Sequence, residues 1–430
     1  MLAAALFAVV PVVVPQDPPV RGQQLVEVTR AGPNQFVSNM RSTQNGLCPT
    51  RSGGLFVVLA RTTLSAPIGA PGASSVGSDL ELWRSDDGGK WVLATSMPTR
   101  NDGDAAIVPD GDLLACAWTA GEGKTFGSVY FQRYDPKAKE WLGQPELLVG
   151  GVSPVDQYYC SDMARASDGS LVVAVGNNST AQAPVWNCSW STGMRWLPQG
   201  KGEWRLLVQV NKHPYGCCAS LAANGDTVDI TYRCNPNESI HGLRTFDCRG
   251  GAFLQSPEDN AAIEPGERFV ANVGVLCMDA GGSRTLLHVV GDKEPGRGEL
   301  AVSFAGGRNK PRTTRIAEDP PLQAGNENPV HFTLARGPAN QVFAYFSKLD
   351  EKFAKLWQCV VEDGQPIAAA KVVAEGDENA FQQLCGMRVS EVFCGMHVAT
   401  LGRTAKVPGG VVSVFGTWPA RAIWSKARKG

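Results

Sequence analysis

The stretch that decides the fold is Asp104–Trp118, DAAIVPDGDLLACAW. It places an apolar segment, the pair Asp110-Gly111 and a second apolar segment in direct succession. Asp-Gly between two apolar segments is a strong signal for a β-hairpin, because glycine readily adopts the positive φ that tight hairpin turns require. The stretch therefore predicts two antiparallel strands joined by a tight turn.

The same hairpin pattern recurs along the chain. Two clear copies are Ser161–Gly176 and Cys217–Arg233, and four looser copies are Leu47–Arg61, Val273–Gly291, Pro329–Phe346 and Cys394–Trp418. The first six copies begin about 56 residues apart, and the last interval is somewhat longer. A repeat of this length predicts one array of similar units rather than several unrelated domains.

The composition favours an all-β protein. The 430 residues include 48 glycines and 28 prolines, which leave few long stretches with helical periodicity. Lys and Arg number 40 and Asp and Glu 41, and neither sign forms a long run. This balance offers no basic surface for nucleic acid and no polybasic segment for a membrane surface, so we expect neither partner.

The first residues predict export. Leu2–Val14, LAAALFAVVPVVV, is short for a bilayer span and is typical of the apolar core of a secretory signal. No Lys or Arg precedes it and no clean Ala-x-Ala site follows, so a start-site artefact or a retained anchor is the alternative. We expect residues 1–22 to be a signal peptide with a Pro-rich linker. Residues 23–430 are then a single domain, secreted or periplasmic, monomeric and without a membrane span.

The cysteine count also fits export. Twelve cysteines are an even number, and disulfides are expected in an exported protein. Cys48, Cys160, Cys217 and Cys277 lie in or just before the first strand of a repeat, so they could join neighbouring units. Cys217 and Cys218 follow His213, but disulfides to other partners are favoured over a metal there, because no CxxC pair with zinc spacing exists. The residues themselves predict no cofactor.

Each repeat can be divided into four strands, A to D, of which A and B form the hairpin. The predicted C strands are Asp79–Ser85, Ser128–Tyr134, Val185–Ser191, His241–Asp247, Glu299–Ala305, Lys355–Val361 and Ala422–Arg428. The predicted D strands include Trp91–Thr95, Trp204–Val210 and Ala370–Ala374. The seventh unit ends after strand C, and Gln24–Arg30 could supply its fourth strand. The pattern predicts a seven-bladed β-propeller with four-stranded blades, closed by this N-terminal strand.

Sequences after the C strands carry a family resemblance. Ser85–Trp91, SDDGGKW, resembles the Asp-box Ser-x-Asp-x-Gly-x-Thr-Trp shortened by one residue; Ser189–Trp196 and Thr245–Phe253 resemble degenerate copies, and Tyr134–Trp141 a remnant. The chain thus resembles the sialidase and bacterial neuraminidase repeat (BNR) superfamily of β-propellers. Asp in this box accepts backbone N–H bonds and Trp packs between sheets, so its role is structural. The resemblance implies a carbohydrate partner, allows calcium as a cofactor, and makes six blades the alternative to seven.

The strand order predicts where a ligand binds. The A–B and C–D turns share one face, so we expect the site on the opposite face, where the D–A and B–C loops meet. These loops offer Arg, carboxylates, Tyr and His, which suit an anionic sugar. The catalytic candidates are Asp102, Tyr158, Asp162, His213, Tyr215 and Glu327, and the substrate-binding candidates are Arg41, Arg100, Lys212 and Arg388. For any single residue, a solvated loop side chain is the competing interpretation.

The family's catalytic residues cannot be transferred one by one. Its Arg-Ile-Pro segment corresponds to Gly46–Thr50, which has Pro49 but no adjacent Arg. Three hypotheses follow, led by a glycoside hydrolase that uses paired acids such as Asp102, Asp162 and Glu327 on anionic glycans. The second is a polysaccharide lyase that uses His213 and Tyr215 with an arginine. The third is a non-catalytic propeller that binds a glycan or a protein.

Overall fold

The computed structural model describes residues 21–40, 43–50, 54–67, 70–86, 90–100, 102–121, 127–150, 156–179, 189–209, 219–233, 241–248, 254–255, 274–279, 282–290, 299–305, 312–318, 332–337, 340–350, 353–377, 381, 384–388, 396–404 and 407–418. These residues form strands grouped in seven antiparallel sheets, and no helix among them is long and apolar enough to cross a membrane.

The sheets are numbered in chain order, after an N-terminal strand β1 (Arg21–Arg30) that belongs to the last of them. Sheet 1 contains β2 (Gln35–Asn39), β3 (Leu47–Pro49), β4 (Leu55–Leu64), β5 (Ser75–Ser85) and β6 (Val92–Ser96). Sheet 2 contains β7 (Asp102–Asp110), β8 (Leu113–Ala120), β9 (Ser128–Asp135) and β10 (Glu140–Val149). Sheet 3 contains β11 (Asp156–Arg165), β12 (Leu171–Ser179), β13 (Ser189–Leu197) and β14 (Arg205–Gln209), with a 3-10 helix at Pro198–Gly200.

The second half of the chain continues the series. Sheet 4 contains β15 (Ser220–Asn224), β16 (Thr227–Arg233), β17 (His241–Asp247) and β18 (Leu254–Gln255). Sheet 5 contains β19 (Val275–Met278), β20 (Arg284–Val290), β21 (Glu299–Ala305) and β22 (Arg312–Glu318). Sheet 6 contains β23 (Phe332–Arg336), β24 (Gln341–Asp350), β25 (Phe353–Glu362), β26 (Gln365–Pro366) and β27 (Lys371–Asp377). Sheet 7 contains β28 (Leu384–Gly386), β29 (Met396–Thr404), β30 (Val407–Trp418) and β1.

The hairpin predicted for Asp104–Trp118 is present. Strands β7 and β8 pair up to Asp110 and Leu113, and Gly111 in the turn has φ +65°. Each of the next two copies also turns through a left-handed glycine, Gly169 at φ +91° and Gly225 at φ +56°. Glycine suits these positions because it has no Cβ to oppose positive φ. In each of the first six sheets, the predicted hairpin supplies the two strands of the A–B pair.

The last unit differs from its prediction by one strand. Its inner strand is β28, which is three residues long, and the predicted A–B hairpin Cys394–Trp418 instead contains strands β29 and β30. The predicted C strand Ala422–Arg428 lies outside the described residues. A three-residue strand shows no alternation that sequence reasoning could use. This explains why the last interval between repeats was too long.

One predicted turn motif is part of a strand. Val185–Ser191 was the expected C strand and Ser189–Trp196 an Asp-box copy after it, but β13 runs through this copy and pairs with β12 and β14. Met194 and Trp196 are buried two residues apart, as strand periodicity requires. The remnant Tyr134–Trp141 does form a turn, in which Asp135 Oδ1 accepts the N–H groups of Lys137 at 2.8 Å and Ala138 at 3.0 Å.

The sheets pack face to face around their inner strands. Strands β3, β7, β11, β15, β19, β23 and β28 contact one another in that order. Sheets 2 and 3 share an apolar core that includes Val108, Phe131 and Val173. Antiparallel sheets of four or five strands arranged in this way define a β-propeller.

The N-terminal strand β1 pairs antiparallel with β30, the last strand among the described residues, as the sequence suggested. Strand β1 begins at Arg21, inside the segment assigned to the linker. Arg61 of β4 contacts the C-terminal end of β1. Its guanidinium donates to Thr29 Oγ1 at 3.0 Å and to the Arg30 carbonyl at 3.1 Å. The same guanidinium forms an ion pair with Glu81, with Nε 2.6 Å from Oε1. Strand β1 is therefore fixed to sheet 1 as well as to sheet 7.

Candidate functional site

The strand register defines two faces of the molecule. At one end of sheet 2, Ala120 pairs with both Asp102 and Ser128, the first residues of β7 and β9. We call this end, where inner strands begin, the loop face. At the opposite end lie the turn after Asp110 and the turn after Asp135, and we call it the turn face. The predicted separation of hairpin turns from D–A and B–C loops therefore holds in this sheet.

Three predicted candidates lie at the loop face of sheets 2 and 3. Arg100 is exposed and precedes β7, and Tyr158 is half-buried near the start of β11. The N–H of Tyr158 donates to the carbonyl of Gly127 at 3.1 Å. A Cβ added at Gly127 would lie 2.4 Å from the Tyr158 carbonyl oxygen, so this close approach requires glycine. Arg100, Asp102 and Tyr158 are thus placed on one side of the propeller by the backbone.

Asp102 lies below this surface, because only 2% of it is exposed. Its Oδ1 accepts a hydrogen bond from the hydroxyl of Thr99, which itself accepts the indole N–H of Trp118 at 2.7 Å. Its Oδ2 is buried and has no hydrogen-bond partner within the described chain. Burial raises the pKa of Asp102 to about 6, against the opposing effect of the Thr99 hydroxyl.

Asp162 is the most heavily bonded carboxylate of the candidate set. A β-bulge between Cys160 and Asp162 interrupts the pairing of β11 with β12, and such bulges redirect side chains. Oδ1 accepts the N–H of Asn45 at 2.8 Å and that of Met163 at 2.9 Å. Oδ2 accepts the N–H of Leu221 at 2.7 Å and the Arg388 guanidinium at 3.1 Å. Both carboxylate oxygens of Asp162 therefore already accept hydrogen bonds from the protein.

Arg388 joins Asp162 from the other end of the chain. Its Nη1 donates to Ser220 Oγ at 2.5 Å and to the Leu276 carbonyl at 2.8 Å. Its Nη2 donates to the Thr43 carbonyl at 2.5 Å as well as to Asp162. We call these five residues the central hub: Asp162, Arg388, Thr43, Asn45 and Ser220. The hub connects sheets 3, 4 and 5 with the segment before β3 and the segment after β28.

The hub is closed to solvent. The side chains of Arg388 and Asp162 are both 0% exposed. Burial raises the pKa of Asp162 to about 6, although the Arg388 charge and the N–H groups of Leu221, Asn45 and Met163 lower it. Both Asp162 oxygens and both Arg388 Nη atoms are bonded to the protein. Arg388 Nε has no hydrogen-bond partner within the described chain but is itself buried, so the pair has little capacity left for a substrate. Two candidates from distant parts of the sequence thus meet, but in the interior.

The other candidates lie outside the described residues: Arg41, Lys212, His213, Tyr215 and Glu327. The chain order still limits where three of them belong. Strand β14 ends at Gln209 and β15 begins at Ser220, so Lys212, His213 and Tyr215 lie between an outer strand and the next inner strand.

Sequence reasoning missed Ser220 and Thr43 as members of the hub and Gln44 beside it. Gln44 donates its side-chain N–H to the Cys160 carbonyl at 2.9 Å, which adds a further link to β11. From the segment that holds Thr43 and Gln44, only Arg41 was predicted as a candidate. A hydroxyl or an amide in a loop gives no periodic signal, so its burial could not be read from the sequence.

Five cysteines do not form the predicted disulfides. Cys116, Cys160, Cys277, Cys359 and Cys385 are buried free thiols, so Cys160 and Cys277 do not join neighbouring units as expected. Inner-strand thiols contact the backbone of an adjacent segment instead: Cys385 Sγ donates to the Gln44 carbonyl at 3.5 Å. Burial raises the pKa of Cys277 and Cys385 to about 11, which keeps both thiols neutral. Cys217 lies outside the described residues.

Calcium was allowed by the family resemblance. Within the described part of the chain, no group of three or more His, Cys, Asp or Glu side chains converges to hold a metal ion. The buried carboxylates Asp102 and Asp162 belong to separate contacts and do not form a shared ligand set. We therefore assign no step to a metal.

No family model matches the chain and no curated protein matches it. Among solved structures, it is similar to an ulvan lyase of polysaccharide lyase family PL25 bound to -[GlcA(1-4)Rha3S]-, with TM-score 0.55 and 12% identity over 94% of this chain and 99% of that one. The polysaccharide lyase Uly1 gives TM-score 0.54 and 10% identity, over 93% and 99%. A Trypanosoma rangeli sialidase gives TM-score 0.46 and 11% identity, over 95% and 60%. At these identities, the likeness to the two lyases shows a shared fold.

Proposed function

We propose that this protein is a seven-bladed, carbohydrate-active β-propeller that cleaves an anionic polysaccharide by β-elimination. Two contacts support a ring closed between the last and the first blade. The Arg388 guanidinium after β28 donates to the Thr43 carbonyl before β3, and β1 completes sheet 7 by pairing with β30. A closed ring leaves no unpaired sheet edge between first and last blade.

The observation that carries the reaction type is the end-to-end likeness to the ulvan lyases, which covers 94% of this chain and 99% of the lyase that holds a uronate-containing segment. The match extends over all the sheets rather than over one blade. It supports a lyase over the hydrolase that the Asp-box resemblance favoured. The identity of 12% leaves the residues of the site to be argued from this chain itself.

The carboxylates also favour elimination over hydrolysis. A glycoside hydrolase usually needs two carboxyl groups that face the scissile bond about 5–10 Å apart. Asp162 is sealed in the hub with both oxygens bonded, and Asp102 is 2% exposed. The third acid proposed for hydrolysis, Glu327, lies outside the described residues. The described carboxylates therefore do not provide the pair.

A lyase requires a different set of groups, which the loop face can supply. A base removes the proton on C5 of a uronate residue, and the C–H electrons form a C4=C5 double bond. The C4–O4 bond breaks at the same time, and an acid protonates O4 of the leaving sugar, so no water is consumed. A cation beside the uronate carboxylate stabilises the negative charge that develops there.

We assign these tasks to residues of the loop face. His213 and Tyr215 are the candidates for base and acid, and Tyr158 is a second phenol on the neighbouring blade. Arg100 and Lys212 are the candidates that neutralise the uronate carboxylate, because both precede an inner strand at this face. Asp162 and Arg388 are assigned to the hub, where they hold the inner strands and do not touch substrate.

The test is turnover of ulvan by the purified full-length chain, with ultraviolet absorbance and new reducing ends measured together. A lyase produces both in equal amounts, because each cleavage creates one double bond. His213→Ala should reduce the rate at least about 100-fold, and Tyr158→Phe should also reduce it. Tyr130→Phe is the matched control, since Tyr130 stacks on Trp118 with ring centroids 6.2 Å apart and should retain wild-type activity.

Other results would identify the alternatives. Reducing ends without ultraviolet absorbance would overturn the lyase and restore the hydrolase, with Glu327→Gln as its next test. Retention of ulvan without any cleavage would make the protein a binding propeller. If His213→Ala and Tyr130→Phe behaved alike while cleavage continued, the assignment of the acid–base pair would be wrong.

A further inference from the structure

The connection between sheets 1 and 2 is anchored on both sides of Arg100. Before it, Met97 is 4% exposed and donates its backbone N–H to the Leu80 carbonyl of β5 at 2.9 Å. After it, Asp102 is 2% exposed and begins β7. Between these two buried residues, Pro98 and Arg100 are exposed, and the proline ring fixes one backbone dihedral angle. Arg100 thus lies on a short exposed segment that is fixed at both ends.

Thr99 adds a third anchor, directly before Arg100. Its hydroxyl donates to Asp102 Oδ1 and accepts the indole N–H of Trp118, with Nε1 2.7 Å from Oγ1. A hydroxyl that donates and accepts at the same time has a fixed orientation. Trp118 is fully buried in β8, and its ring stacks on Tyr130 of β9 with centroids 6.2 Å apart. The hydrogen bonds of Thr99 therefore tie the connection to the core of sheet 2.

A β-bulge accompanies this contact. The pairing of β7 with β8 shifts by one residue between Asp102 and Ala105. Within the irregular stretch, the N–H of Ala105 donates to Met40 Sδ at 3.2 Å. Bulges change the direction of side chains and are common beside active sites. Here the bulge lies where the buried carboxyl group of Asp102 meets the hydroxyl of Thr99.

These contacts favour binding by Arg100. A cation on an exposed loop loses conformational freedom when it binds an anion, and this loss weakens the affinity. Anchors on both sides of Arg100 fix the backbone before the ligand arrives, so less freedom is lost on binding. Asp102 and Trp118 are 2% and 0% exposed, which leaves them too buried to touch a polymer. Their effect on a ligand would therefore act through the exposed residue that they support.

We propose that Thr99, Asp102 and Trp118 are positioning residues, which hold the connection so that Arg100 meets the carboxylate of a uronate residue. This inference rests on the proposed function, which assigns Arg100 to that carboxylate. It gives Asp102 a role different from the catalytic one predicted from the sequence. Contacts that merely join two blades would act equally in the presence and in the absence of Arg100, whereas a positioning role requires Arg100.

The experiment is a double-mutant cycle between Thr99 and Arg100 in the full-length chain. Initial rates on ulvan give kcat and KM, and affinity electrophoresis in gels with ulvan or neutral dextran gives binding without reference to cleavage. Thr99→Val removes the hydroxyl at nearly constant volume, and Thr99→Ser keeps it. Thr95→Val is the matched control, because Thr95 lies in β6 and its hydroxyl donates to the adjacent Ser96 carbonyl at 3.2 Å.

We expect Arg100→Ala to lower kcat/KM and the affinity for ulvan about tenfold, because a charge-assisted contact is lost. Thr99→Val should lower both about fivefold when Arg100 is present and less than about twofold in the Arg100→Ala background. Thr99→Ser and Thr95→Val should keep wild-type values. Asp102→Leu removes the acceptor of the Thr99 hydroxyl, so it should match Thr99→Val in the same cycle and takes its place if that variant does not fold.

Equal losses from Thr99→Val with and without Arg100 would overturn the proposal, because the effect would not act through Arg100. A loss of the same size in Thr95→Val or in Thr99→Ser would also overturn it. Ulvan that is retained by the protein but not cleaved would reject the lyase, and the gel affinities alone would then decide the positioning role. Ulvan that is neither retained nor cleaved would overturn both.

Discussion

Two Arg–Asp pairs in this propeller have the same chemistry and opposite surroundings. Arg388 and Asp162 meet in the hub with both side chains 0% exposed, whereas Arg84 and Asp86 meet at the turn face with 31% and 74% exposed. The buried guanidinium also donates to the Thr43 and Leu276 carbonyls and to Ser220. The exposed guanidinium of Arg84 donates to its carboxylate and, at a longer 3.4 Å, to the Pro136 carbonyl.

The difference shows that an arginine beside an acid does not by itself identify a ligand site. In the hub, desolvation makes each group depend on its protein partners, so removal of one group leaves the others unsatisfied. At the turn face, water can replace either partner, so removal of one group costs little. Burial therefore makes the first pair part of the fold, whereas the second contributes little to it.

The largest expected effect is on stability and comes from the hub. Arg388→Met should lower the free energy of unfolding by about 3–5 kcal/mol, because it leaves the Asp162 carboxylate buried without its cation. Three carbonyl and hydroxyl acceptors of Arg388 would also lose their donor. Denaturant unfolding followed by tryptophan fluorescence measures the change.

Arg388→Lys provides the control for the hub, since it keeps the charge but cannot donate to all these acceptors from one ammonium group. Its loss of stability should lie between those of wild type and Arg388→Met. A loss below about 1 kcal/mol in Arg388→Met would contradict the structural role and return Arg388 to the list of substrate-binding candidates.

Asp102 sharpens the comparison, because it is a buried carboxylate without a cation beside it. Its pKa is raised from 3.8 to about 6, so the folded protein holds this proton more tightly than the unfolded chain does. The resulting stabilisation is complete below about pH 4 and is lost as the pH rises through 6, by at most about 3 kcal/mol. Asp102→Asn should remove this dependence, measured as the difference from wild type in unfolding free energy across pH 4–7. A difference that is constant with pH would contradict the raised pKa.

An ion pair of intermediate exposure should give an intermediate effect. Arg61 and Glu81 are 17% and 11% exposed, and Arg61 also bonds Thr29 and Arg30 of β1. Arg61→Met should cost about 2 kcal/mol, since charge-assisted hydrogen bonds are lost. Hydrogen exchange in residues 24–30 should accelerate more than in β8. Unchanged protection of these residues would show that the pairing with β30 alone fixes β1.

The sequence was sufficient for the features that depend on local chemistry. Six A–B hairpins were predicted from turn residues and alternation, and the chain places left-handed glycines at Gly111, Gly169 and Gly225 as that chemistry requires. The inner strand β28 was missed because Leu384–Gly386 is too short to alternate. The prediction of an Asp-box turn that ends at Trp196 was wrong, because a Trp that closes such a turn motif can equally be an inward residue of a strand.

The hub could not be predicted, because it depends on contacts between distant residues. Asp162 and Arg388 lie 226 positions apart, and no local pattern records which loop residue will be buried. Their selection as candidates depended on residue type and on a predicted D–A position. In the structure Asp162 lies within inner strand β11 and Arg388 follows inner strand β28, and both side chains are buried.

The smallest expected effect on stability comes from the exposed pair. Arg84→Ala should change the free energy of unfolding by less than about 1 kcal/mol, because the pair is largely solvated. Asp86→Asn should have an equally small effect, since water can replace the carboxylate at this exposed position. Denaturant unfolding of both variants beside Arg388→Met measures the contrast. A loss above about 2 kcal/mol in either variant would show that the exposed pair resembles the hub in its dependence on both partners.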